Sequence, residues 1–434
     1  MQDRCQSCPR ALYLTDGPQP AERFPSIIAA CPIRAGCRQG GSMDGTFAVI
    51  GAGRQGTAAA YDLAHFGGGR PVVLADAMEG QARLAAERVN HLLGRPAATA
   101  AVLDAADAAG VQRWLQANQV RAFVSAVPYF FNLGLTRAAI ACGCGMTDLG
   151  GNSDVVCAQL DLNGEAAAAG ACIVPDCGQV PGMGTSLILF AMEQLEEPRQ
   201  VYMWDCGLPA DPPPPWNYRL AFSIEGLTNE FFGDCLYIRD GRTARVPALE
   251  ELEVVEFPAP IGPLEAFTTA GGLTTAALTF AGQLDVLQNK TLRYPGSYAQ
   301  LKVIQQLGLL SPEPIEVAGV RLAPRTLLHA LWEPQIRAAP GERDLIIIRI
   351  LVRGLRHGRP AEARVDLIHY ADEATGFSAM EQGTGWHAAI LTHAIAEGKV
   401  PPGVIPVEKA IGGKDFVAEA ARRGFVVSLD SRQP

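Results

Sequence analysis

The chain has 434 residues, 48% of them hydrophobic, with abundant Gly, Ala and Pro, enough apolar material for two domains with cores of their own at about 150 residues per domain. A formal charge of −9, with no basic run interleaved with aromatics, argues against nucleic acid as a partner. No stretch reaches the roughly 18–20 uncharged apolar residues of a spanning helix, and no charged start with an apolar core opens the chain, so no membrane is expected and the expected location is the cytoplasm.

Eleven cysteines, an odd number scattered along the chain, fit reduced thiols better than disulfides. Cys5, Cys8, Cys31 and Cys37 are spaced C-x2-C-x22-C-x5-C. Zinc accepts four thiolates, but the second pair is spaced wider than usual and no metal is expected. Residues 1–42 lack helical or strand periodicity and are read as a non-native or disordered leader, with Met43 as the expected true start.

The run TFAVIGAGRQG enters a G-x-G-x-x-G turn at Gly51, Gly53 and Gly56 and continues into TAAAYDLAHF at helical spacing. Strand, glycine turn and helix in this order predict a Rossmann unit, with Gly51 for the tight turn, Gly53 for the approach of the pyrophosphate and Gly56 for close helix packing. Arg54 and Gln55 lie within that turn, at the helix N-terminus that favours phosphate. A second strand, PVVLAD, ends at Asp76, twenty residues after the last glycine, where a carboxylate accepts hydrogen bonds from the ribose hydroxyls. Ala77 and Met78 offer no cation to a 2′-phosphate, so NAD is favoured over NADP.

Further strand and helix signals alternate through TAAVLD, AFVSAV, MTDLGG and CIVPDCG, which predicts a parallel, doubly wound sheet. Ala126, Val127 and Pro128, at the carboxyl end of AFVSAV, are expected beside the cofactor's nicotinamide side. Past residue 185 the pattern changes to QVYMWDCG, a stiff DPPPPWNY loop and a series of strands. The fold class is therefore α/β: a Rossmann dinucleotide-binding domain over 43–184, then an α+β domain with a mixed, largely antiparallel sheet over 185–382. Residues 383–434 return to helical periodicity and are expected to pack on the Rossmann domain, with Gly383 and Gly385 as a hinge.

The ordered series GAGRQG, AVPYFFN, TDLGG, VPDCGQVPGM, GLPADPPPPWNYRLAFSIEGL, GPLEAFTTAGG and NKTLRYPG resembles the saccharopine dehydrogenase-like superfamily and within it looks most like the lysine 6-dehydrogenases. The resemblance covers nearly everything from Met43 onward. It implies an NAD(P)-dependent enzyme acting on a carbon–nitrogen bond of an amino acid, a second domain that closes over substrate and supports a homodimer or larger homo-oligomer, and no metal. The reaction implied is oxidative deamination of the ε-amine of L-lysine to the semialdehyde. A saccharopine-like or carboxynorspermidine-like secondary amine is the alternative within the class, and a non-catalytic NAD-binding regulator the alternative outside it. After YPG, where the family usually has histidine, stands Ser297.

Only five of the 36 basic residues are lysines, and Lys290 is the first of them in the chain. Burial lowers a lysine pKa and lets it exchange a proton, and oxidising an amine needs a base, so Lys290 is the candidate base. Arg293, further along the same strand, is expected to share its face and clamp the substrate carboxylate. Asp148, Asp176, Glu225 and Glu265 sit in glycine-flanked turns and are candidates for receiving a substrate with two amino groups, Asp148 with a catalytic part. Tyr129 and Asn132, after the strand that ends near the nicotinamide, are expected to orient substrate. Cys177 reads as a small buried hydrophobe rather than a nucleophile.

Overall fold

In the computed structural model, which describes residues 45–339 and 341–432, six strands and seven helices alternate in the first half of the chain. They are β1 (Thr46–Ile50), α1 (Arg54–Phe66), β2 (Val72–Asp76), α2 (Glu79–Leu93), β3 (Ala98–Val102), α3 (Ala108–Ala117) and β4 (Val120–Ser125), then α4 (Asn132–Cys142), β5 (Gly145–Asp148), α5 (Ser153–Leu160), α6 (Asn163–Ala169), β6 (Cys172–Val174) and α7 (Met183–Met192). β-branched and apolar runs such as FAVI and AFVS are short enough for strands and are buried on both faces, as a covered parallel sheet requires. Cys5, Cys8, Cys31 and Cys37, and the leader read over 1–42, lie outside the described residues.

The second half begins with β7 (Glu197–Pro209), α8 (Ile224–Glu230), β8 (Asp234–Arg239), β9 (Arg242–Pro247), β10 (Glu253–Glu256), β11 (Pro263–Thr268), α9 (Thr274–Thr279) and β12 (Val286–Arg293). There follow α10 (Ser297–Gln306), a hairpin of β13 (Ile315–Val317) and β14 (Val320–Leu322), α11 (Pro324–Ile336), β15 (Asp344–Arg356), β16 (Arg359–Tyr370) and α12 (Ala379–Ala396). The chain closes with β17 (Gly403–Val404), α13 (Val407–Ala410), α14 (Gly413–Arg422) and β18 (Val427–Arg432).

The first sheet has seven parallel strands in the order β17-β6-β5-β4-β1-β2-β3. Its strand order reverses between β1 and β4, so the crevice at their carboxyl ends is the ligand position of a doubly wound sheet. The second sheet has nine strands, in the order β10-β11-β12-β7-β15-β16-β18 with β8 and β9 off that path. All its pairings are antiparallel except β12 on β7.

The last fifty residues are helical in α12, α13 and α14 but also supply two strands that the helical reading did not contain. β17 extends the parallel sheet and β18 edges the other, because a two-residue strand and a half-exposed edge strand carry too little periodicity to register. Gly383 and Gly385 are not a hinge. They lie inside α12, where a Cβ on Gly385 would stand 2.8 Å from Ala59 N and Gln55 O of α1. Gly385 lets the two helix backbones approach, while a Cβ on Gly383 would meet the Ile346 and Gln179 side chains. α12 is buried on nearly every side, as expected of a helix apolar all round. It starts on a Ser378–Glu381 capping box, and Asp344 accepts the Ala379 and Met380 amides. Among the described residues, no helix is long and apolar enough to cross a membrane.

Candidate functional site

The glycine turn is closed on itself. Gly51 has φ +103°, and a Cβ there would lie 2.6 Å from Ala126 O; on Gly56 a Cβ would lie 1.9 Å from Gly51 O. Around Gly53, by contrast, a Cβ would meet nothing within 4 Å. Gly53 is the N-cap of α1 and brings no side-chain cap, so the first-turn amides face that open space and fit a pyrophosphate. The Asp76 carboxylate accepts from Ala52 N at 2.8 Å and Met78 N at 2.9 Å, which ties the end of β2 to the turn. Arg54 reaches Glu381 at 2.6 Å, coupling the turn to the start of α12.

Beyond the turn lies a cavity of about 570 Å³, lined by Gln55, Ala126, Val127, Pro128 and Tyr129 on the Rossmann side and by the ends of β7, α8 and β12 on the other. The buried Gln55 Oε1 has no partner among the described residues. On β12, period-two alternation puts Asn289, Thr291 and Arg293 on the cavity face. Arg293 Nη1 donates to Thr291 Oγ1 at 2.7 Å and Leu292 O at 2.9 Å, while Nη2 lies 3.4 Å from Glu230 Oε2. Its guanidinium also stands over the Tyr218 ring at 4.9 Å, a cation–π contact that holds the head group in place. Asn289 Nδ2 donates to Asp205 Oδ1 at 2.6 Å.

Burial pushes the Asp205 carboxyl up to about 6 against the Asn289 hydrogen bond and the Arg293 charge. Burial pushes Glu230 up to about 7, with Arg293 holding it down and Asp205 pushing it further up. In all, four carboxylates (Asp154, Asp205, Glu230, Asp234) and two guanidinium groups (Arg245, Arg293) line the cavity. Such a surplus of negative groups suits a ligand with more amines than carboxylates.

Several residues singled out from sequence lie elsewhere. Lys290, three positions before Arg293, is on the opposite face of β12, because an odd separation in a strand reverses the side. Its side chain is 7% exposed, donates to Glu251 O at 2.7 Å and pairs with Glu253 at 3.2 Å, so it is a buried structural cation and not a base at the cavity. Asn132 is 2% exposed and accepts from Ser125 Oγ at 2.7 Å, which locks the start of α4 onto β4, and it does not line the cavity. Glu225 is exposed on the first turn of α8 and does not line the cavity. Glu265 accepts from Gly296 N and Tyr298 N, a cap on α10.

Asp148 and Asp176 sit behind the cavity wall and shape it without lining it. Asp148 accepts from Gly150 N, Asp176 N and Gln159 Nε2, and burial raises its pKa. Asp176, at φ +62°, is pushed well above the usual carboxylate range by burial and then by Asp148 and Glu408. The Asp148 carboxylate supports the Gly150–Gly151 loop, which does face the cavity, while the buried Asp176 Oδ2 has no partner among the described residues. Tyr129 lines it, as do Ala126, Val127, Pro128, Gln55 and Arg293.

Asp205 and Glu230 escaped the sequence reading. Asp205 is the one charged residue in the strand run VYMWDCG, a signal that was available, since an ionisable group in an apolar strand needs a reason. Glu230 ends a short helix and carried no local mark. Counting by two from Arg293 would have found Thr291 and Asn289.

The family model of the saccharopine dehydrogenase NADP binding domain matches residues 47–174, and that of the saccharopine dehydrogenase C-terminal domain matches residues 178–424. Among solved structures, apo saccharopine dehydrogenase (L-Glu forming) from Saccharomyces cerevisiae shares the fold with a TM-score of 0.72 at 17% identity, over 90% of this chain and 100% of that one. GenD2 from gentamicin A biosynthesis, in complex with NAD, aligns at 11% identity over 92% of this chain and 99% of that one with a TM-score of 0.35, too loose to carry an argument.

Proposed function

The chain belongs to the saccharopine dehydrogenase family of dinucleotide-binding oxidoreductases, and on that premise we propose that it is an NAD-dependent amino acid dehydrogenase that oxidises the ε-amine of L-lysine to the semialdehyde. The observation that carries this reading is the cavity lining: carboxylates outnumber guanidinium groups four to two, which favours a diamino monocarboxylate over a neutral zwitterion or a diacid. NAD is supported by Asp76, whose charge opposes a 2′-phosphate, with Ala77, Met78 and Glu79 next in the chain.

Gly51, Gly53 and Gly56 would hold the pyrophosphate, Asp76 the adenosine ribose, and Ala126 to Pro128 the nicotinamide ribose. When bound, the dinucleotide supplies a two-electron hydride acceptor. Arg293, anchored by Thr291 and Leu292 O, takes the α-carboxylate and fixes the distance of the reacting carbon. The carboxylates opposite take the amines. Water adds to the oxidised carbon–nitrogen bond and ammonia leaves.

A secondary amine of saccharopine type is the second reading, favoured by one observation. Two guanidinium groups, Arg245 and Arg293, line the same cavity and could each take a carboxylate. NADH absorbance with L-lysine, saccharopine, ornithine and carboxynorspermidine, each with NAD and NADP, separates the readings. Turnover of L-lysine at least about tenfold above the others in kcat/KM, equivalent to ~1.4 kcal/mol, is expected. Dominance of saccharopine would replace the first reading by the second, and no reduction with any amine would remove both.

A further inference from the structure

Glu230 is the last residue of α8, and its position is set from three sides. Its backbone carbonyl accepts from Ala270 N at 2.9 Å, Asn229 beside it reaches Gly151 O at 3.5 Å across the cavity mouth, and its own carboxylate meets Arg293. The side chain keeps 30% exposure and lines the cavity. Of the hydrogen bonds made by the Arg293 head group, the one to Glu230 is the longest, 3.4 Å against 2.7 and 2.9 Å. A charge-assisted pair of good geometry closes to about 2.7–2.9 Å. Arg293 is therefore held by its Nη1 edge, while its Nη2 edge is only loosely engaged by a carboxylate that a better-placed one can displace.

Resting on the amine-dehydrogenase reading above, we propose that Glu230 takes the amine proton, and that it is freed to do so when the substrate's own carboxylate replaces it on Arg293.

The other groups at hand serve less well. Asp205 is tied to Asn289 at 2.6 Å, the Tyr218 hydroxyl is buried and pushed up in pKa, and Lys290 faces away. The charged and titratable groups facing Glu230 are Arg293 from β12, Asp205 from β7 and Tyr218 from the segment before α8. Arg293 is the influence that holds Glu230 down. A substrate carboxylate on Arg293 neutralises that influence, so the proton affinity of Glu230 rises as substrate docks. In the step itself one N–H bond breaks and the proton ends on Glu230. The pair left on nitrogen forms the C=N bond as the hydrogen leaves carbon with its electron pair to the dinucleotide, which is reduced.

Binding tests the exchange without turnover. L-norleucine, which lacks the ε-amine, is titrated calorimetrically into the NADH-bound enzyme at about pH 7.5, in two buffers of different ionisation heat. We expect uptake of about half a proton per site, lost in Glu230→Gln. Norleucine binding without uptake, or no binding where L-lysine saturates, overturns the exchange. In turnover, Glu230→Gln should lower kcat by about 10² to 10⁴ with NADH affinity within about twofold. The acid limb of kcat/KM near pH 7 should vanish in that variant and move to lower pH in Asp205→Asn. Should Glu230→Gln not fold, Glu230→Ala replaces it, with formate restoring rate at least about tenfold; a folded Glu230→Ala that formate does not rescue counts against the proposal. Full kcat in Glu230→Gln, while the wild type oxidises L-lysine, overturns this proposal alone, whereas no amine-dependent reduction in the wild type overturns the amine reading with it.

Discussion

The two ends of the cavity are built on different principles. At the dinucleotide end, the contacts that tie the glycine turn to β2 come from residues near one another in the chain: Gly51 meets Gly56, and Asp76 bonds Ala52 and Met78. At the end lined by Asp205, Glu230 and Arg293, which come from β7, α8 and β12, the ties between those elements join residues tens of positions apart. The first end is a backbone cradle in which space decides what fits. The second is a charge network in which each group's behaviour depends on its neighbours. A change at the cradle should therefore act through binding, all or none, while a change in the network should act through rate and pH.

The sharpest way to break that contrast is at Gly56. With a Cβ 1.9 Å from Gly51 O, Gly56→Ala forces two backbones apart, and we expect NAD affinity to fall at least about 100-fold, ~2.7 kcal/mol. Fluorescence titration with NADH checks it; near-normal affinity would mean the cradle is not where the pyrophosphate lies. A smaller effect is expected of cofactor choice. With Asp76 in place, kcat/KM for NAD should exceed that for NADP at least about tenfold, ~1.4 kcal/mol. Asp76→Ser should erode the ratio, and an equal or reversed ratio in the wild type would remove Asp76 as the discriminating residue.

Lys290 tests whether the network stops at the sheet. Because it faces Glu251 and Glu253 and not the cavity, Lys290→Met should keep kcat within about threefold. The cost should appear as lost stability of roughly 1–3 kcal/mol from the Glu251 carbonyl left without its donor, read by denaturant unfolding. A fall of 10² or more in kcat would return the base to Lys290. The smallest functional effect belongs to Asn132→Ala, which leaves the buried Ser125 hydroxyl without its partner: about 1–3 kcal/mol of stability and no change in KM. A raised KM would put Asn132 back at the substrate.

The Rossmann half was legible in the sequence because its signals are local. A short apolar run, three glycines at fixed offsets and an acidic residue at the end of the next strand specify a strand, a turn and a helix by signals that lie close together in the chain. The change to a mixed, mostly antiparallel sheet was legible for the same reason, as strand signals without intervening helices. Asn132 was misjudged because following a strand end does not fix which way a side chain turns, and Glu225 and Glu265 because a glycine-flanked turn marks only where a polar side chain is needed. It does not say whether the need is a ligand or an unpaired amide.

By itself the sequence determined the cradle, the strand periodicity that brings Asn289, Thr291 and Arg293 to one face, and the polarity at Asp76 that bears on the cofactor. Only the tertiary structure decided which face of β12 meets the cavity, that Lys290 is spent on Glu251 and Glu253, that Asp148 braces a loop from behind with Asp176 buried beside it, and that Asp205 and Glu230 converge on Arg293. The physical reason is range. Backbone conformation and side-chain alternation are set over a few residues, whereas burial, charge pairing and the resulting proton affinities depend on which distant strands the packed sheet places side by side.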